Sequence, residues 1–198
     1  GDGSTLQVEA NIKFLIHNQS PAIIGTVLNI THLKKAEEQV RHMAYHDPLT
    51  DLPNRRMLND YLNQTLNRCR LENTGLSVMF LDLDRFKAIN DTMGHNFGDL
   101  VIRHSAKRLL ECMGENGAVF RHGGDEFIVV LIKTDKMGSM KTARSIICEF
   151  NRPFDVNGRE VYITPSIGIS FFPENGCDVL GHDGGFSMDR RNNLSNCP

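Results

Sequence analysis

The order of hydrophobic patterns predicts an α+β fold: a ferredoxin-like, palm-type antiparallel sheet with packed helices. Three observations carry it. From Leu76 to Phe172 the patterns run strand–helix–strand–strand–helix–strand, the split-βαβ order. Two apolar runs within Ala118–Leu131 meet at Gly123-Gly124-Asp125-Glu126, a hairpin signal, because Gly reaches φ > 0 at no steric cost. The run Leu76–Leu83 reads as a buried strand and ends in acid, Asp82-Leu83-Asp84. In this topology the Leu76–Leu83 strand is expected beside the first strand of the hairpin. The carboxylates of Asp82, Asp125 and Glu126 then converge at one end of the sheet.

The elements follow in order. Leu6–Ile16 and Ala22–Ile30 are strand-like, with Asn18-Gln19-Ser20-Pro21 as the turn. Thr31 is placed to cap a helix reaching about Tyr45. Its apolar residues Leu33, Ala36, Val40 and Met43 recur with 3-4-3 spacing, a short seam that suits either a dimer or a linker helix lying on its own domain. Asp47–Arg55 is a turn-rich bridge. Asn54 caps a helix through roughly Arg70, with Met57, Leu58, Tyr61, Leu62, Leu66 and Cys69 as its core stripe. After the Leu76–Leu83 strand, Arg85–Asn96 is helical or looped. Phe97–Met113 is helical, with Leu100, Val101, Leu109 and Leu110 inward. Lys136–Phe150 is a further helix with Ala143, Ile146 and Ile147 inward. Pro153–Val156 and Val161–Phe172 are strands around the turn signal Asn157-Gly158. Residues 180–198 show no period and no apolar face and are expected to be disordered.

Composition narrows the function classes. The chain has 198 residues, 40% of them apolar, and a formal net charge of −2, which gives no electrostatic footprint for DNA or RNA. Five scattered cysteines without metal-ligand spacing read as reduced thiols of a cytoplasmic protein. No apolar run approaches the ~20 residues needed to span a bilayer. The chain lacks a starting Met and a basic-then-apolar leader, so it reads as a piece of a longer protein.

The chemistry sits at the acidic strand ends. Adjacent carboxylates stay ionised together only near a cation or strong donors. Several carboxylates with a backbone carbonyl form a hard oxygen site that suits Mg²⁺ or Mn²⁺, with phosphate oxygens completing the shell. Gly123 and Gly124 let a bulky ligand approach the backbone. Lys87 supplies a point charge to phosphates, and Asn90 and Asp99 offer donors and acceptors for a purine edge. Asp84 and Asp91 read as caps or exposed acids, Asn90 alternatively as a turn residue, and His95 alternatively as a structural histidine.

Two resemblances add to this reading. The lead-in GDGSTLQVEA and the exit NITHLKKAEEQ around the first two strands resemble the last two strands of a PAS domain. Only the C-terminal part of that domain is present, so no ligand is expected there. FLDLDRFKAINDTMGHNFGD (Phe80–Asp99), followed by RHGGDEF (Arg121–Phe127), resembles the GGDEF domain of diguanylate cyclases. DPLTDLPNRR (Asp47–Arg56) resembles that family's lead-in motif, and SIGISFFP (Ser166–Pro173) its late strand. The resemblance covers about Tyr45–Asn175. The resulting division is 1–30 PAS-like strands, 31–46 a signalling helix, 47–176 the GGDEF domain and 177–198 a divergent tail.

The family condenses two GTP molecules to cyclic di-GMP and releases pyrophosphate. By resemblance, Asp82, the carbonyl of Leu83 and Asp125 hold the metal. Asp125 is also the general base, Glu126 assists, and Lys87 stabilises the transition state. Asn90 and Asp99 recognise guanine, His95 lies in the nucleotide site, and Gly123 and Gly124 admit the phosphates. Each site holds one GTP, which implies a homodimer. The alternative is a GTP-binding regulatory module without turnover. A third reading is a PAS-type interaction fragment with the palm as scaffold, which leaves the acidic turn unexplained. Two departures stand out. The family's product-inhibition pair, Arg-x-x-Asp, falls on Gly114 and Gly117. Residues 177–198 also do not resemble the family's C-terminal helix, from which weak or absent turnover is expected.

Overall fold

The computed structural model describes residues 5–17, 20–113, 117–174 and 193–194. The chain divides into two compact units, residues 1–44 and 45–198.

In the first unit β1 (Val8–His17) and β2 (Ser20–Asn29) pair antiparallel from Val8–Asn29 to His17–Ser20. Both faces carry exposed apolar side chains, with Phe14 82% and Ile16 79% accessible. Helix α1 (Thr31–Tyr45) follows. Thr31 is not its cap. The Ile30 carbonyl accepts the N–H of Lys34, and the Asn29 carboxamide accepts that of Thr31 at 3.0 Å. The Thr31 hydroxyl instead accepts the Gln7 N–H at 2.9 Å. Leu33, Val40 and Met43 are all exposed, so the α1 seam is unburied.

The second unit is a sheet between two helical layers. Its helices and strands are α2 (Arg55–Glu72), β3 (Leu76–Leu83), α3 (Phe86–Met93), α4 (His95–Met113), β4 (Gly117–Gly123) and β5 (Glu126–Ile132), then α5 (Lys136–Phe150), β6 (Phe154–Val156), β7 (Arg159–Val161), β8 (Pro165–Phe172) and β9 (Asn193–Leu194). Strand order is β4-β5-β3-β8-β9, with every adjacent pair antiparallel. The neighbour of β3 is therefore β5, the second hairpin strand, and not β4 as expected. The reason is burial. Phe127, Ile128, Val129 and Val130 are apolar on both faces and fully buried, which demands a central position. β4 carries Arg121 and His122 and takes the edge.

Alternation along β3 and β5 builds two cores. Met79, Leu81 and Leu83 with Phe127, Val129 and Leu131 face α4 and α5. Leu76, Val78, Ile128 and Val130 face Leu58, Leu62, Leu66 and Cys69 of α2. Each such large side chain contributes about 1.5–3 kcal/mol on burial. Asn54 caps α2 by accepting from the N–H groups of Arg56 and Met57 at 2.9 and 3.1 Å. Arg108 clamps the end of α5. It donates to the carbonyls of Glu149, Arg152 and Pro153 and lies over the Phe154 ring.

Three further expectations are corrected. α4 begins at His95, because Gly94 at φ +84° turns the chain between α3 and α4. Leu110 is 53% exposed, and Ile102, Ala106 and Met113 fill the inward face instead. The run Val161–Phe172 is two strands: β7 closes a hairpin with β6 through Asn157-Gly158, both at positive φ, and β8 starts at Pro165. Of 177–198 only Asn193–Leu194 is described, as a short strand on β8; the disorder expected for the remainder lies outside the described residues. Cys69, Cys112 and Cys148 are free. Among the described residues no helix is long and apolar enough to cross a membrane.

Candidate active site

The end of β3 is set by what surrounds it. Leu81 and Leu83 are buried on the α4/α5 face, so Asp82 between them projects from the other face and is exposed. Its partner across the ladder is Glu126, the first residue of β5. Like charges directly opposite on neighbouring strands repel. Burial, then the charges of Asp125, Glu126 and Asp84, push the Asp82 carboxyl above the usual aspartate value. The expected convergence of Asp82, Asp125 and Glu126 is present, although it arises through β5.

Asp84 is neither a cap nor a free acid. Its carboxylate accepts from the hydroxyls of Thr164 and Ser166, each at 2.6 Å, and ties the exit of β3 to β8. The Asp84 N–H also donates to the Thr164 carbonyl at 2.8 Å, making Asp84–Thr164 a hydrogen-bonded pair. The preceding pair, Leu83–Pro165, is then the non-bonded kind, with its backbone groups turned outward. The missing N–H of Pro165 costs nothing towards β3, and the Leu83 carbonyl faces the hairpin side.

The turn is held from β4. The Arg121 guanidinium donates through Nε and Nη2 to the Gly124 carbonyl at 3.2 and 2.8 Å, and through Nη1 to Asp47 at 2.7 Å. Asp47 also accepts from the backbone and hydroxyl of Thr50, and the Arg121 N–H donates to the Pro53 carbonyl. Burial works against ionisation of Asp47, but the hydrogen bonds from Arg121 and Thr50 outweigh it and hold its carboxyl below the usual value. Beyond this brace the turn is open: a Cβ at Gly123 or Gly124 would meet nothing within 4 Å, and both sit at positive φ. A cleft of about 480 Å³ beside it is lined by Asn54, Arg55, Arg56, Arg121, His122 and Gly123. His122 lies edge-on to Phe80, and its buried Nδ1 has no hydrogen-bond partner among the described residues. Burial lowers its pKa, against the charge of Glu126.

Helix α3 starts directly after Asp84. Its leading residue, Arg85, is left-handed at φ +59° and makes no side-chain cap hydrogen bond, although its carbonyl accepts the Ala88 N–H at 2.9 Å. Lys87 is exposed on that turn. Asn90 is half-buried on α3, while His95 and Asp99 are exposed on the first turns of α4. The expected site residues thus fall into two groups: the carboxylates Asp82, Asp125 and Glu126 at the sheet end, and Asn90, His95 and Asp99 around the α3–α4 corner. Sequence reasoning missed Arg121, Asp84, Thr164 and Ser166. The signal for Arg121 was a cation placed two residues before the paired glycines.

The donors present are carboxylates and a backbone carbonyl. Asp82 is raised first by burial and then by the neighbouring carboxylates, and a hard divalent cation relieves that repulsion. Among the described residues no three acidic, histidine or cysteine side chains enclose an ion by themselves. Such a site suits a cation that keeps water and substrate oxygens in its shell. Because Asp82 is raised, its ionisation costs folding free energy, and the cost sets in as pH rises from the ordinary aspartate value through the raised one. Asp82→Asn is therefore expected to raise the metal-free unfolding midpoint at pH 7 by on the order of 2 °C, with the gain disappearing at pH 3. Scanning calorimetry with chelator at both pH values checks this.

Comparison with known proteins gives a consistent picture. A family profile described as "Diguanylate cyclase, GGDEF domain" matches residues 44–181. The signaling protein YkoW of Bacillus subtilis is 42% identical over 179 residues, which is 88% of this chain and 22% of that protein. The cyclic di-GMP phosphodiesterase NbdA of Pseudomonas aeruginosa is 35% identical over 167 residues, 83% of this chain and 21% of its own. The chain thus spans about a fifth of the length of these curated relatives. Among solved structures, the coiled coil and GGDEF domain of DgcB from Caulobacter crescentus, in complex with c-di-GMP, superposes with a TM-score of 0.67 at 29% identity, covering 72% of this chain and 76% of that one.

Proposed function

The chain belongs to the GGDEF-domain family, and from that premise we propose that it condenses two molecules of GTP to cyclic di-GMP with release of pyrophosphate. The observation that carries the reading is the carboxylate cluster of Asp82, Asp125 and Glu126 beside an unobstructed two-glycine turn. Asp125 accepts the proton of a ribose 3′-hydroxyl, and Glu126 adds negative charge beside it. The oxygen attacks the α-phosphorus of the facing GTP, and the bond to pyrophosphate breaks. Attack by the second ribose 3′-hydroxyl on the α-phosphorus of the first GTP then closes the ring, so two GTP yield one cyclic dinucleotide and two pyrophosphates.

Asp82, Asp125 and the Leu83 carbonyl would hold Mg²⁺ or Mn²⁺, which when bound lowers the pKa of the attacking hydroxyl and offsets charge on the leaving group. Lys87 and the first turn of α3 receive phosphate oxygens, and Gly123 and Gly124 leave room for them. Asn90 and Asp99 read the guanine edge, with His95 beside them. One GTP per site requires two protomers face to face. The exposed Leu33, Val40 and Met43 of α1 suit that pairing, and the strands before it suit a PAS-like sensory element in a cytoplasmic signalling protein.

Incubation with GTP and Mg²⁺ followed by mass spectrometry tests the reading; cyclic di-GMP is the expected product. One observation favours a second reading: NbdA, similar over 83% of this chain, carries the name of a phosphodiesterase. GTP bound but unconverted would favour a regulatory module acting by contact. Product inhibition supplies a further expectation. Gly114 and Gly117 stand where the family has its Arg and Asp. A Cβ at Gly117 would meet only movable side-chain ends, Leu131 Cδ2 at 2.9 Å and Met113 Sδ at 3.1 Å, so the departure from the family lies in the missing side chains themselves. Initial rates titrated with cyclic di-GMP are expected to stay level, and sub-micromolar inhibition would contradict this.

A further inference from the structure

Gly98 lies in the first turns of α4, where glycine is a poorer helix former than alanine. It is buried, and the space its missing side chain leaves is filled by Asn90. A Cβ built at Gly98 would collide with Asn90 Oδ1 and come within 3.0 Å of Asn90 Cγ and 3.2 Å of Phe86 Cζ. Asn90 and Phe86, one helical turn apart, thus present one face of α3 to the bare backbone of α4. The backbone fixes the same corner: the Asn90 carbonyl accepts the Gly94 N–H at 2.9 Å, and the Gly94 carbonyl accepts those of Phe97 and Gly98. Asp99 follows immediately on α4.

We propose that Gly98 is a specificity-determining positioning residue: its missing side chain lets the Asn90 amide seat against α4, in register with Asp99, so that the two read one purine edge together. The inference rests on the guanine-reading role given to Asn90 and Asp99 above. A methyl group at position 98 must rotate Asn90 outward or part the two helices. Either movement breaks the pair without touching the carboxylates at the sheet end. The same substitution in an ordinary helix would stabilise it, so the close approach of Asn90 is what accounts for a glycine at this position.

Nucleotide affinity, which does not depend on turnover, tests this by calorimetry in Mg²⁺ with GTP and with ITP, which lacks the 2-amino group. The full chain is expected to prefer GTP by about tenfold, and Gly98→Ala to weaken GTP binding by about that factor and erase the preference. In an Asn90→Ala background Gly98→Ala is expected to have a much smaller effect on both values, because only the 3.2 Å contact with Phe86 Cζ remains. Equal losses from Gly98→Ala in both backgrounds, or an unchanged preference in Gly98→Ala, would overturn the proposal. If Gly98→Ala alone does not fold, recovery of folding in the double variant supports the packing relation, and failure of both overturns it. An Asn90→Ala variant that keeps the GTP preference would instead refute the guanine-reading role. Non-additive melting temperatures in the same four proteins would still report the Gly98–Asn90 contact.

Discussion

Asp125→Ala yields a folded protein that makes no measurable cyclic di-GMP from GTP and Mg²⁺. The side chain stands on the turn between β4 and β5, outside both cores, so its removal creates no cavity. It also removes one of the charges that raise Asp82, so the metal-free protein should melt no lower than the parent. Loss of a general base alone costs about 10²–10⁴ in rate, and Asp125 is assigned metal ligation as well, so a fall of at least ~10³ is expected. Initial rates beside a thermal melt check both halves. Activity within about tenfold of the parent would remove Asp125 from the chemistry.

Asp47→Ala should have the largest effect on stability. Asp47 and Arg121 form an ion pair at 2.7 Å with side chains only 18% and 12% exposed. Removing the carboxylate leaves a largely buried guanidinium unpaired, and a loss of about 2–4 kcal/mol follows. Turnover should fall too, because Arg121 is also the brace on the Gly124 carbonyl. Arg121→Lys keeps the charge but not the fork that reaches both acceptors, so it should rescue only part of the loss. The pair also has a pH signature. The Asp47 carboxyl is held below its usual value, so its contribution is present above that value and is lost as pH falls through the lowered one. Urea unfolding of parent and Asp47→Ala proteins at pH 7 and pH 3 should show the gap narrowing in acid.

How much of this was legible before the fold was known depended on range. Local signals placed well: β3 spans Leu76–Leu83 as its apolar run indicates, Asn54 caps α2, and Asn157-Gly158 turns a hairpin at positive φ. Strand neighbours were harder, since the same element order is written whichever hairpin strand lies beside β3. Only the two-faced burial of Phe127–Val130 decides for β5. Helix faces erred where apolar residues outnumber core positions, as with Leu110, and Thr31 lost its capping role to a partner 24 positions away. At the site, residue types gave the carboxylates but not their supports. The links Arg121–Asp47 and Asp84–Thr164 join residues 74 and 80 positions apart, beyond any local pattern.

The most direct test of the central claim follows the phosphorus. The full chain is incubated with GTP and Mg²⁺, and the products are resolved by ³¹P NMR. Two pyrophosphates formed per cyclic di-GMP, with no inorganic phosphate, is the expected result. GTP hydrolysed to GDP and phosphate, or cyclic di-GMP formed without two pyrophosphates, would contradict condensation at the Asp82–Asp125–Glu126 cluster.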